Sequence, residues 1–154
     1  MKLWEWSTRA WASPGVEGAC LDLQDAQGQN IPLLLWAGWT AATGRTLAED
    51  DIEAACDTAR VWQETAVAPL RGVRRALKTR IPDIEDADRE AIRAQIQAVE
   101  IDAERRLLGA LEALSPPPSG PAKPALPVLA AVSRRWSTVT PRTALTLLAE
   151  RLPA

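Results

Sequence analysis

The sequence predicts an all-α fold: a multi-helix bundle, a proline-rich linker and a C-terminal helical tail. Apolar residues recur at spacings of three and four, as on one face of a helix, and no segment alternates apolar and polar residues as a strand does. Helix-start signals, such as Ser13 before Pro14, also recur along the chain. A length of 154 residues suits one core. We divide the chain into a bundle at 1–114, a linker at 115–127 and a tail at 128–154.

Caps and apolar stripes predict the first three helices. Leu3–Trp11 gathers its apolar residues, with Ser7 among them, on one arc of the helix. The second helix starts at Ser13-Pro14 and stops at Gly28. A third helix begins at Asn30-Ile31-Pro32, and its residues are apolar nearly all round, so we expect it in the middle of the core. The buried stripe of the second helix is expected to be Val16, Ala19, Cys20, Leu23 and either Ala26 or Gln27.

The middle of the chain predicts one interrupted helix and one long helix. Thr46 and Glu49 have capping-box spacing, and the helix they open is expected to reach Val67. Pro69 is expected to kink or restart that helix before the segment Leu70–Arg80. The longest helix should run from about Ala87 to Leu114. One stripe of this helix is expected to face a partner helix along its whole length: Ile92, Ile96, Val99, Ala103, Leu107, Ala110 and Leu114.

The last forty residues predict a linker and a docked helix. Six of the thirteen residues at 115–127 are proline, which favours a semi-rigid extended segment. Thr140-Pro141 opens a helix over Arg142–Leu152 that is too short to be stable alone in water. We therefore expect its stripe of Leu145, Leu148 and Leu152 to dock, with docking in cis and docking in trans both left open.

Composition excludes several function classes. The chain has no His, so it cannot build a Ser-His-Asp site, a common zinc site or a di-iron site that needs imidazole. It also has no Tyr, so a phenolic general acid is excluded. The net charge of −2 gives no global attraction to nucleic acid, and no apolar run is long enough to span a membrane. We expect a cytoplasmic protein with Cys20 and Cys56 reduced and buried, and without metal or cofactor.

Several motifs give the segment 3–114 a resemblance to a known family. They are Trp4-Glu5-Trp6-Ser7, Pro14-Gly15-Val16, Cys20-Leu21-Asp22-Leu23-Gln24-Asp25 and Gly28-Gln29-Asn30 with the apolar run that follows. In these the chain resembles a family of uncharacterised proteobacterial proteins that share a domain of unknown function. The resemblance implies a bacterial, all-helical protein and no catalytic activity.

The first candidate site is a set of aromatic and polar residues near the N-terminus. It comprises Trp4, Trp6, Ser7, Gln24, Asn30, Trp36 and Trp39. Tryptophan offers enough flat surface to line a pocket for an apolar ligand or to anchor a partner. The other interpretation, which we favour, is that these are the large core residues of a protein without Phe or Tyr.

The second candidate site is a basic ridge. Arg71, Arg74, Arg75 and Lys78 recur at helical spacing and form one positive face, suited to an anion or an acidic partner. The simpler interpretation is a solvated face balanced by the acidic residues that follow at 83–88. No aromatic residue lies among these basic residues, which argues against binding of single-stranded nucleic acid.

The leading hypothesis is a non-enzymatic helical interaction protein, an adaptor or regulator with a protein partner. It depends on the lack of catalytic residue patterns together with the linker and the unstable terminal helix. The alternative is a small protein that binds an apolar ligand, or an enzyme, with a tryptophan-lined pocket. Homo-oligomer formation is left open.

Overall fold

A computed structural model describes all 154 residues, and every regular element in it is helical. The predicted all-α fold is therefore confirmed. The helices are α1 Leu3–Ala12, α2 Val16–Asp25, α3 Ile31–Ala42, α4 Glu49–Trp62, α5 Ala68–Ala76, α6 Asp86–Leu114, α7 Ala125–Trp136 and α8 Arg142–Arg151, with a π segment, Gln63–Val67, between α4 and α5. None of the helices combines the length and the apolar character needed to cross a membrane.

Helix α3 lies at the centre of the core, as its composition predicts. Eleven of its twelve residues are buried, and α1, α4, α6 and α7 all pack against it. The predicted start of this helix is also confirmed, since the Asn30 side chain accepts a hydrogen bond from the Leu33 amide at 3.0 Å. A helix that is apolar all round has no face for solvent, so the other helices surround it.

The π segment joins α4 to α5 ahead of Pro69. The three elements follow one another without a loop. Proline lacks an N–H, and its ring meets the carbonyl four residues earlier, here that of Thr65 within the π segment. The wider π turn relieves this conflict. The predicted interruption at Pro69 is thus a local widening within one continuous helix.

The proline-rich segment forms a strap across the end of α3. Residues 115–124 form neither helix nor strand, and α7 begins directly after them. The Lys123 amide donates to the Ala41 carbonyl at 2.9 Å, and the Gly120 amide donates to the Gly44 carbonyl at 3.1 Å. The strap therefore leads α7 back along α3.

The C-terminal tail docks in cis. Helix α7 packs against α3, and α8 packs against α2 and α7. Leu145 and Leu148 are fully buried, whereas Leu152 is only partly buried against Gly38. The tail residues that join the same core as α3 are Leu129, Val132, Trp136, Leu145 and Leu148. The sequence analysis left docking in cis and docking in trans open, and this structure has docking in cis.

The predicted stripe of α6 is wrong over the first half of the helix and at its last member, Leu114, which is 42% exposed. Ala103 and Leu107 are buried, but Ile92 and Val99 are about half exposed. The other buried residues of α6 lie outside the predicted stripe: Arg89, Glu100, Leu108 and Leu111. The first half of α6 packs against the polar helix α5, so charged residues occupy its inner face and the apolar stripe points outward.

The predicted cap of α4 is also wrong. This helix begins at Glu49, and Thr46 lies outside it with its hydroxyl 3.1 Å from that of Ser119 in the strap. The amide of Ala48 instead donates to the Asp51 carboxylate at 2.8 Å. Thr46 is therefore used for a tertiary contact with the strap.

Candidate functional site

The tryptophans of the first candidate site are mainly core residues. Trp6, Trp36 and Trp39 are almost completely buried, and Trp4 is partly buried. The indole N–H of Trp36 donates to the Ser115 hydroxyl at 2.7 Å, and that of Trp39 donates to the Met1 carbonyl at 3.1 Å. These bonds hold the Trp36 ring beside Ser115, which follows α6, and the Trp39 ring beside Met1 at the N-terminus. Because both side chains are buried, their aromatic faces contact protein atoms.

Two tryptophan faces are covered by arginines. The guanidinium of Arg45 lies 4.0 Å from the ring centroid of Trp39, and that of Arg105 lies 4.8 Å from the centroid of Trp4. Both distances fall within the range of cation–π attraction. The predicted arc of α1 extends to Trp11, but this side chain is 37% exposed at the end of the helix. Trp39 and Trp4 thus each have one ring face in contact with an arginine of the same chain.

The loop between α2 and α3 is a centre of buried hydrogen bonds. Gln29 is buried, and its side chain accepts from the Ser133 hydroxyl at 2.9 Å. The indole N–H of Trp136 donates to the Gly28 carbonyl at 3.0 Å. Asn30 donates to Gln63 in the π segment at 2.8 Å. One short loop thus connects α3, α7 and the π segment.

A small polar pocket lies beside this loop. Its volume of about 10 Å³ has room for about one water molecule. Of the first candidate set, Gln24 and Asn30 line this pocket, whereas Ser7 and the tryptophans do not. The structure therefore separates residues that the sequence analysis grouped. Its full lining is Gln24, Gln29, Asn30, Ile31, Pro32, Gln63, Val67, Arg71, Glu104 and Leu107.

A wider groove separates α4 from α7. It is an open depression of about 490 Å³ with Ile52 and Ala131 in its lining. Acidic Glu49 and Glu53 line it from α4, while Arg134 and Arg135 line it from α7. Arg135 and Glu53 already form an ion pair at 2.9 Å. The groove thus has charges of both signs, and no tryptophan lines it.

The basic ridge is paired with carboxylates of other helices. Arg74 Nε lies 2.6 Å from Glu100, and Arg71 binds Glu100 at 3.1 Å and Glu104 at 3.3 Å. Arg75 reaches Asp25 of α2 at 3.3 Å. Lys78, the fourth member, is exposed. The negative charge expected from the residues at 83–88 is thus supplied to these arginines by Glu100, Glu104 and Asp25 instead.

Glu100 is the central acid of this network. Burial opposes its ionisation, but hydrogen bonds and charge from Arg74 and Arg71 outweigh burial, so its pKa lies below the ordinary value. Desolvation raises the pKa of the neighbouring Glu104. The hydrogen bond with Glu100 raises the pKa of Arg74. The network therefore holds a charged carboxylate between two guanidinium groups and fixes α5 on α6.

Arg89 completes the pairing of α5 and α6. It is buried, and it donates to the Leu77 carbonyl at 2.7 Å just past the end of α5. A cation there satisfies free carbonyls and interacts well with the helix dipole. The sequence analysis assigned neither Arg89 nor Glu100 to a candidate site. One signal was present, since Glu100 lies two turns before buried Leu107 and so shares its face.

The α5–α6 hairpin exposes an apolar surface to solvent. Helix α5 has no fully buried residue, and Val73, Ile92 and Val99 are 45%, 48% and 51% exposed. Ile96 of α6 and Leu77, the residue that follows α5, are partly buried. We call Val73, Leu77, Ile92, Ile96 and Val99 the hairpin face.

Helical geometry puts these residues on one side of the hairpin. Arg75 points to α2, where it meets Asp25, and Val73 lies about 160° around α5 from it. On α6, Glu104 lines the pocket beside α2, and Val99 lies about 140° around from it. Val73 and Val99 therefore both face away from α2. Each of these two side chains is about half exposed.

The side chains that could bind a metal ion do not cluster in this structure. No group of three or more His, Cys, Asp or Glu side chains is arranged to hold a metal ion. Both cysteines are free and buried, as predicted. Burial raises the pKa of the Cys20 thiol to about 12 and that of Cys56 to about 11. Neither thiol is therefore a ready nucleophile at neutral pH.

Comparison with known proteins identifies a family. No curated protein and no solved structure matches the chain. A family model described as a protein of unknown function, DUF2390, matches residues 2–111, which span α1 to near the end of α6. The matched segment includes the hairpin and the loop at Gly28–Asn30, while the strap, α7 and α8 follow it. The chain therefore belongs to the DUF2390 family.

Proposed function

We propose that the protein is a non-enzymatic helical interaction protein, a bacterial, cytoplasmic adaptor or regulator that binds a protein partner through the hairpin face. The observation that carries this proposal is the outward-facing apolar surface on α5 and α6. Exposed apolar side chains that form a continuous surface mark interaction sites more often than isolated ones do. The fixed pairing of the two helices supports the proposal, because a rigid surface loses little entropy on binding.

The energy available at this surface suits reversible binding. Fully covering an Ile or Val side chain contributes about 1.5–3 kcal/mol relative to full exposure. Val73, Ile92 and Val99 are each about half exposed, so together they contribute on the order of 2–4 kcal/mol. A dissociation constant of about 1 μM corresponds to a binding free energy of about −8 kcal/mol, so these three side chains would supply roughly a quarter to a half of it.

The alternative function, an apolar-ligand protein or an enzyme with a tryptophan-lined pocket, has less support. Trp36 and Trp39 use their indole N–H groups within the chain. Neither the polar pocket nor the groove between α4 and α7 is lined by tryptophan. We therefore put the interaction function first.

The experiment is affinity purification of the tagged full chain from its own cells. Ile92→Asp together with Val99→Asp should remove the captured partner, because both changes put charge on the hairpin face. Leu147→Asp is the matched control, since Leu147 is a helical residue 42% exposed on α8. Circular dichroism melting checks that all variants fold. A partner that is kept by the double variant and lost by Leu147→Asp contradicts the proposal.

A further inference from the structure

We propose that the groove between α4 and α7 binds a short zwitterionic peptide, about the size of a dipeptide with an apolar side chain. None of the residues that line this groove belongs to the hairpin face, so the inference does not depend on the proposed interaction function. It is carried by the separation of charge between the two walls of the groove and by the size of the groove.

Each wall of the groove carries one sign of charge. Glu49 and Glu53 lie on α4, and Arg134 and Arg135 lie on α7. The lining therefore has no net charge, but its acidic and basic groups are on opposite sides. A simple anion would be attracted to α7 and repelled by α4, and a simple cation would experience the reverse. A ligand with one ammonium group and one carboxylate group matches both walls.

One acid and one base of the groove are available to such a ligand. Glu53 and Arg135 already pair with each other at 2.9 Å. Glu49 and Arg134 are exposed, and neither forms an ion pair within the chain. The Arg134 guanidinium can donate two parallel hydrogen bonds to a carboxylate, and Glu49 can accept hydrogen bonds from an ammonium group. These two side chains are therefore the expected contacts of the two ligand ends.

Two apolar residues complete the lining. Ile52 comes from α4 and Ala131 from α7, and both are partly buried. On each helix the three lining residues follow the spacing i, i+3 and i+4, so they share one face. The groove thus offers apolar contact to a ligand side chain as well as ionic contact to its two ends.

The size of the groove sets the size of the ligand. The lining runs from 49 to 53 on α4 and from 131 to 135 on α7, which is about 6 Å along each helix. An extended peptide advances about 3.3 Å per residue, so two residues match this length. The volume of about 490 Å³ equals the liquid volume of on the order of 16 water molecules. It lies within the usual range of small-molecule sites.

Direct contacts between α4 and α7 hold the two walls in place. The ion pair of Glu53 and Arg135 joins the helices at the groove itself. Two turns beyond Glu53, Arg60 donates to the Trp136 carbonyl at 3.0 Å, and its guanidinium lies 4.2 Å from the centroid of the Trp136 ring. A groove that is formed before binding loses little entropy when a ligand enters.

The test is an NMR titration of the isotope-labelled full chain with the dipeptide leucyl-alanine. We expect saturable shifts centred on the amides of residues 49–53 and 131–135, with a dissociation constant on the order of 1 mM. Acetylation of the dipeptide's ammonium group, or amidation of its carboxylate, should each weaken binding about 2- to 5-fold, because exposed ion pairs are individually weak. Free leucine should bind more weakly than the dipeptide, because it is too short to reach both walls.

Two variants assign the ends of the ligand. Glu49→Gln should weaken binding of the free dipeptide but not of its acetylated form, which has no ammonium group. Arg134→Gln should weaken binding of the free dipeptide but not of its amidated form. Glu17→Gln is the control and should change neither affinity, because Glu17 is also an exposed acid in the first turn of a helix but lies outside the groove. Circular dichroism melting checks that all three variants fold.

Four outcomes overturn the inference. The first is the absence of saturable shifts at the groove residues, and the second is equal affinity for the free and the blocked dipeptides. The third is equal affinity for leucine and the dipeptide, which would contradict the assigned size. The fourth is a captured protein that is lost when Glu49→Gln and Arg134→Gln are combined, since the groove would then bind a macromolecule. The hairpin variants test the proposed function separately, because they leave the groove unchanged.

Discussion

A Cβ atom added at Gly44 would lie 1.9 Å from the carbonyl oxygen of Gly120. The close approach arises because the strap crosses the end of α3 here, where the amide of Ser119, at 2.9 Å, and that of Gly120 both donate to the Gly44 carbonyl. Gly44 also has a positive φ of 67°, a conformation that glycine adopts without strain. The strap is thus held against the family-matched segment at Gly44.

Gly44→Ala should destabilise the protein by about 2–4 kcal/mol, since the new methyl group meets backbone that cannot rotate away and φ remains positive. The measurement is the free energy of unfolding in urea. Gly109→Ala is the control, because Gly109 is helical and a Cβ there has nothing within 4 Å. That change should be neutral or should stabilise by up to about 1 kcal/mol. If the two variants have the same free energy of unfolding, the strap can move away from residue 44 at little cost in stability.

Glu100→Gln should cost about 2–3 kcal/mol near neutral pH, because Arg71 and Arg74 lose their charged partner in a buried position. Urea unfolding of the two proteins gives this difference. Glu104→Gln is the matched change in the same network. It should cost less, since the pKa of Glu104 is raised and its charged form is less favoured by the fold.

The pH dependence follows from the lowered pKa of Glu100. A carboxyl group with a lower pKa in the folded state stabilises the fold above its unfolded pKa of about 4.3. This stabilisation is lost as the pH falls from that value through the folded pKa. The difference between the natural chain and Glu100→Gln should therefore be full at pH 7 and should shrink in acid. A difference that stays constant down to acid unfolding would contradict the ion-pair role.

Leu145→Ala should cost about 2–5 kcal/mol, because Leu145 is fully buried where α8 packs on the bundle. Leu147→Ala, on the exposed side of the same helix, should cost less than about 1 kcal/mol. Thermal melting of both variants checks the difference. Equal melting temperatures would mean that α8 does not dock in cis in solution.

Removal of the whole tail should have a larger effect. A chain ending at Leu114 lacks α7, which covers α3, and so it exposes part of the central helix. We expect loss of the cooperative thermal transition and association through the exposed core. A truncated chain that melts as sharply as the full chain and remains monomeric would be evidence against a shared core.

The thiols of Cys20 and Cys56 should react slowly with a disulfide reagent at pH 7, since both are buried with raised pKa values. Both should react rapidly in urea. The absorbance of the released chromophore measures the rate, and Cys56→Ala assigns it to one residue. Rapid reaction of either thiol in the folded protein would indicate local opening of α2 or α4.

Local signals predicted the parts of the fold that depend on single helices. Asn30 caps α3, and Leu145 and Leu148 are the buried residues of α8, because caps and amphipathic spacing act within one helix. The strap was harder to predict. Its position depends on a long-range approach between Gly44 and Gly120 that composition does not encode.

The candidate site was predicted less well than the fold. The spacing of Ile92, Ile96 and Val99 is that of a buried stripe, but α5 offers Arg71 and Arg74 to α6, and the ion pairs with Glu100 turn the polar face inward. Hydrophobic spacing alone cannot anticipate a buried charge network on a neighbouring helix. The hairpin face is exposed as a result.

Hydrogen exchange of the full chain tests the central claim most directly, namely that the hairpin face is the interaction surface. Amide exchange is measured without and with the captured partner. The account predicts added protection confined to residues 70–106, with the amides of α7 and α8 unchanged. Protection that appears instead in α7, α8 or the groove between α4 and α7, and leaves residues 70–106 unchanged, would contradict it.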